Sequence, residues 1–128
     1  MAEATARRAA ASRDNHLTLR RVERQQRIIE LLAAARTRVP LRRLAEEFGV
    51  AERTIARDLQ RLRHSGVPIE VTPGRHGGAT VISAHTIPPV TLDFSEVAAV
   101  MASLAALGPP VTPSATSAMS KFARVLRH

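Results

Sequence analysis

"LRRLAEEFGVAERTIARDLQRLRHSGVPI", residues 41–69, holds two short amphipathic patterns on either side of a glycine. In the first, Leu41, Leu44, Ala45 and Phe48 fall at i, i+3, i+4 and i+7, the spacing of a helix with one buried face. Gly49 follows the last apolar residue, where a left-handed helix end favours a residue without a Cβ. In the second, running from about Ala51 to His64, Ile55, Leu59 and Leu62 recur at i, i+4 and i+7, and Gly66 marks the end. Two short helices joined by a glycine-containing turn predict a helix-turn-helix.

The second helix is densely charged: residues 49–69 carry four arginines and two acids. At about 100° per residue, with Ile55 at zero, Leu59 and Leu62 lie within about 40° of it, while Arg53, Arg57, Gln60 and His64 lie opposite, at about 140–200°. Thr54 and Arg61 fall on a flank suited to phosphates. An exposed face of Arg and Gln fits the major groove of duplex DNA, because Arg can take guanine O6 and N7 together and Gln can take adenine N6 and N7. A solvated charged face is the ordinary explanation of such a run, so the helix by itself does not decide between them. Asp58 falls on the border of the apolar stripe. A carboxylate aimed at phosphates would weaken binding, so its expected place is an internal ion pair or cap, with Arg61 or with an arginine of the first two helices; the alternative is an unpaired surface acid.

Upstream, Val22, Ile28, Ile29, Leu32 and Ala35 recur at helical spacing from Leu19 onward and predict a first helix, which Pro40 separates from the next. Residues 1–18, rich in Ala and Arg, read as a disordered basic arm that either adds phosphate contacts or has no role. Downstream, two β-prone runs at 69–72 and 79–82 flank "PGRHGG" and predict a hairpin. Three helices followed by a hairpin form a winged helix-turn-helix, with Arg75 at the wing tip. Gly77 and Gly78 would let the backbone turn tightly and approach a phosphate or a narrow minor groove. A nucleotide-binding loop is excluded, since no GK[ST] ending and no following helix are present.

Residues 85–91 read as a stiff linker containing Pro88 and Pro89. From 92 to 128 two more helices are expected. The first has Asp93 and Glu96 in capping-box spacing and stops at Gly108-Pro109-Pro110; the second opens at Thr112-Pro113. Val97, Val100, Met101, Leu104, Met119 and Phe122 give this pair apolar surface, which would be covered by mutual packing, a second copy or a full-length relative.

Composition agrees with a nucleic-acid partner. The formal net charge is +8, and residues 1–68 hold 15 Arg against 8 acids, so the basic surface lies in the front half. Aromatic residues make up 2% of the chain, which leaves the core to Leu, Ile, Val and Ala. The absence of cysteine removes disulfides and thiolate metal sites and suits the cytoplasm. The five histidines show no ligand spacing, and no carboxylate pair or nucleophile set occurs, so no enzyme activity, cofactor or metal is expected. The longest apolar run, 97–107, is too short to cross a bilayer.

"RQQRIIELL", the 41–62 segment, "GVPIEVTPGRHGGATV" and "IPPVTLDFSEVAAV" together resemble the amino-terminal part of the bacterial WYL-domain transcriptional regulators, whose helix-turn-helix is of the DeoR-like type. The resemblance implies promoter DNA as partner, with Arg53, Thr54 and Arg57 facing it and Asp58 as a structural acid. In that family a carboxy-terminal WYL domain is held to sense a ligand; the sequence stops at His128, so a regulator without that domain is expected. Ala51 and Pro40 stand where the family has capping hydroxyls, and Ala56 and Ala79 where it has aromatic residues. The expected architecture is thus a basic arm at 1–18, a DNA-binding winged helix-turn-helix at 19–84, a linker at 85–91 and a two-helix extension at 92–128. The extension is a candidate surface for homodimers or heterodimers, and an inactive remnant is the remaining alternative.

Overall fold

The computed structural model describes residues 2–82, 87–106 and 112–127, apart from the side chains of residues 11, 12 and 14–16. In chain order the elements are α1 (Ala2–Ala34), α2 (Leu41–Phe48), α3 (Glu52–His64), β1 (Ile69–Thr72), β2 (Gly78–Val81), α4 (Phe94–Ala106) and α5 (Pro113–Leu126). The chain divides into two compact units, Arg24–Ile87 and Met1–Glu23 with Pro88–His128. The architecture is mainly helical and is that of a winged helix-turn-helix followed by two helices.

In the Arg24–Ile87 unit the apolar stripes converge on one core. Ile28 and Leu32 of α1, Leu44 and Ala45 of α2, Ile55, Leu59 and Leu62 of α3, Val39, Ile69 and Ala79 are all buried. Aliphatic side chains of this size contribute about 1.5–3 kcal/mol each on full burial, which lets a core with no fully buried aromatic residue hold α2, α3 and the end of α1 together.

Gly49 ends α2 at φ 64° and ψ 36°, the left-handed conformation the sequence called for. The Val50 amide then donates back to the Ala45 carbonyl at 3.0 Å, closing the turn. Neither α2 nor α3 has a side-chain cap: Pro40 and Ala51 occupy the cap positions and accept no side-chain hydrogen bond. Both helices are therefore held by packing more than by their ends.

β1 and β2 pair antiparallel, from Ile69 opposite Val81 to Thr72 opposite Gly78. The hairpin begins and ends one residue earlier on its second strand than the sequence pattern indicates. It also has a neighbour that the pattern did not reveal. Val39, between α1 and α2, bridges to Ala79, each amide donating to the other's carbonyl at 2.9 Å. One residue of the inter-helix segment thus acts as a third strand and pairs the outer edge of β2 next to the hairpin's turn.

Residues 2–18, expected as a disordered arm, form the start of α1. The segment contains no Gly or Pro and is rich in Ala and Arg, both strong helix formers. It lacks a regular apolar stripe, so periodicity gave no sign of it.

In the other unit α4 and α5 pack on each other. The capping box of α4 is complete: the Glu96 amide donates to Asp93 Oδ1 at 2.8 Å and the Asp93 amide to Glu96 Oε1 at 2.9 Å. Thr112 caps α5, its Oγ1 accepting from the Ala115 amide at 3.1 Å, with Pro113 in the first turn. Among the described residues of this unit, Val97 and Thr112 are buried. The Gly108-Pro109-Pro110 stop expected after α4 and His85 of the expected linker lie outside the described residues.

Candidate nucleic-acid interface

α3 presents two opposed faces. Ile55, Asp58, Leu59 and Leu62 are buried, while Arg53, Arg57, Gln60, Arg61 and His64 are exposed and Thr54 is partly so. This matches the division the helical angles implied, except at Asp58, which is not at the border but inside. The exposed arginines of α3 enter no ion pair among the described residues. Their guanidinium donors are open to an outside acceptor.

The basic residues at the end of α3, Arg61, Arg63 and His64, also lie in its last turn. There they complement the partial negative charge of the helix terminus. The front face of Arg53, Arg57 and Gln60 has no such intramolecular task.

Asp58 is 1% exposed and accepts from two residues of α1. Arg24 approaches with its Nε on Oδ2 and with a terminal nitrogen on Oδ1 at 3.1 Å, and Gln25 Nε2 donates to Oδ1 at 3.0 Å. The partner comes from the first helix, one of the two sources expected, and is not Arg61. The carboxylate is satisfied on both oxygens, as a buried charge must be. Arg24 and Gln25 escaped the sequence reading, though a signal was present. Arg24 lies four residues before Ile28 and eight before Leu32 on the same stripe, so a charge continues an apolar row and must find a partner.

The wing tip is a turn from Gly74 to Gly77, closed by the Gly77 amide on the Gly74 carbonyl at 3.0 Å. Arg75 and His76 occupy its two central positions and are exposed. Gly77 and Gly78, expected to let the backbone turn tightly, stand where backbone leaves no room for a side chain. A Cβ on Gly77 would clash with the Thr72 carbonyl oxygen, and one on Gly78 would lie 2.5 Å from that of Val39. Their small size serves the hairpin's own closure and its contact with the inter-helix segment.

Among the described residues no group of three or more His, Asp or Glu could hold a metal ion, and no helix is long and apolar enough to cross a membrane. Residues 24–78, which take in the end of α1, the α2–α3 pair and the hairpin up to its second strand, match the family model described as HTH domain. A domain of this family suggests DNA binding and transcription regulation in general terms, and the family is typically non-enzymatic.

Proposed function

We propose that the protein binds duplex DNA sequence-specifically and regulates transcription from the bound site in the bacterial cytoplasm, in the manner of the DeoR-like regulators its sequence resembles. Arg53, Arg57 and Gln60 read base edges in the major groove with His64 on the same face, Thr54 and Arg61 meet the phosphates beside it, and Arg75 reaches from the wing tip to the backbone or the minor groove. The observation that carries this reading is the exposed face of α3, with Arg57 and its neighbours open opposite a fully buried apolar stripe. Selection of bound duplexes from a random pool should yield a preferred site. Arg57→Ala should then weaken binding to that site by about 1–3 kcal/mol and relax the preference at one position. An unchanged footprint on the preferred site would remove Arg57 from the groove.

A second reading concerns the unit that holds α4 and α5. Phe94 is 69% exposed, with Val90, Leu92, Val100 and Val125 also open to solvent. This apolar, nearly uncharged surface suits a second copy of the chain, which would place two reading helices on two half-sites. Light scattering at increasing concentration should show a dimer that Phe94→Asp dissociates; a wild-type monomer throughout would exclude it.

A further inference from the structure

Among the described residues Asp58 is the only buried charged side chain, and it follows Arg57 directly on the helix whose outer face carries the proposed readers. We infer that Arg24 and Gln25 are specificity-determining positioning residues, which fix the rotation of α3 through Asp58 so that Arg53, Arg57 and Gln60 meet the bases in register. The inference rests on the groove-reading role proposed for α3.

The apolar contacts of Ile55, Leu59 and Leu62 hold α3 on the core but are non-directional, and they tolerate a small roll of the helix about its axis. With side-chain tips about 5–6 Å from that axis, a roll of about 20° moves a guanidinium by about 2 Å, beyond what a bidentate base contact accepts. The first turn of α3 adds no directional side-chain bond, since Ala51 offers no side-chain cap. The grip of Arg24 on both carboxylate oxygens, with Gln25 sharing one of them, is directional. A buried ion pair of this kind adds little stability over well-packed apolar side chains, and registry is its best-supported use.

The test compares affinity for the selected site with affinity for random duplex, and follows the thermal melt of each protein. R24M/D58L replaces the pair by apolar side chains. The expected result is a cooperative melt near that of the wild type, unchanged affinity for random duplex, and a ratio of specific to random binding lowered about tenfold or more. R24K keeps a charge on the carboxylate but loses the planar two-point grip. It should lower the ratio about threefold to tenfold with the fold intact, so the proposal stands or falls on this variant if the double one does not fold. A full wild-type ratio in a folded R24M/D58L or in R24K overturns the positioning role. A wild-type protein without any site preference overturns the groove-reading role itself, and the clamp with it.

Discussion

A Cβ placed on Gly78 would lie 2.5 Å from the Val39 carbonyl oxygen, on a backbone with φ of 153°. Gly74 has φ of 98° but nothing within 4 Å of its virtual Cβ. The two positions separate conformational strain from collision. Gly74→Ala should cost about 1–2 kcal/mol from the left-handed backbone alone, and Gly78→Ala about 2–4 kcal/mol because backbone must also shift; urea denaturation measures both. Equal losses would mean that the Val39 segment yields freely. Asp58→Ala leaves Arg24 half-buried without its carboxylate and should cost about 3–5 kcal/mol by the same measurement. The residue scale is also where sequence reading was least complete. The angle of Asp58 on the helix announced an internal partner, but spacing along one helix cannot show which arginine of another will reach it.

The helices themselves were legible, for identifiable reasons. The α2–turn–α3 run carries strong apolar periodicity and a glycine where the chain reverses. α4 and α5 carry their start signals in the residues Asp93, Glu96, Thr112 and Pro113, all of which serve as caps or first-turn residues in the structure. The beginning of α1 was not legible, because helix propensity without an apolar stripe looks the same as a disordered arm. The third-strand role of Val39 was hidden as well, since a single bridging residue has no alternation to read. At this scale the uncapped start of α3 offers a direct check. Ala51 has φ of −72° and ψ of 153°, the extended geometry of a cap residue, so Ala51→Ser should accept from the first-turn amides and raise stability by about 0.5–1 kcal/mol. A melting temperature unchanged or lowered would show that the first turn is already satisfied.

For the whole molecule, the excess of 15 Arg over 8 acids in residues 1–68 makes binding to any duplex a matter of displaced counterions. Log affinity should fall linearly with log salt, by about 0.9 for each phosphate neutralised. The proposed roles then separate. Arg75→Ala should reduce that slope by about 1 with little change in preferred sequence, whereas Arg57→Ala should change the preferred sequence more than the slope. Titration of both variants at several salt concentrations provides the check; identical behaviour would mean that α3 and the wing do not divide the work. The charge asymmetry was plain from composition and the outward face of Arg53, Arg57 and Gln60 from helical angles, to which the structure adds the burial of the opposite face of α3.

The bridge between Val39 and Ala79 sits one residue pair from the hairpin's turn and gives the strands and the turn of the wing different freedoms. Ala79 lies opposite Val71, so β2 is stitched to the entrance of α2 by a pair of amide bonds at 2.9 Å close to the turn, and only the four residues from Gly74 to Gly77 project beyond it as the tip. Insertions or exchanges at Arg75 and His76 can therefore re-aim the tip without disturbing the seam that ties β2 to the entrance of α2. In evolutionary terms the tip is an editable appendage on a fixed mount, open to changes of length and charge while the core sequence stands still.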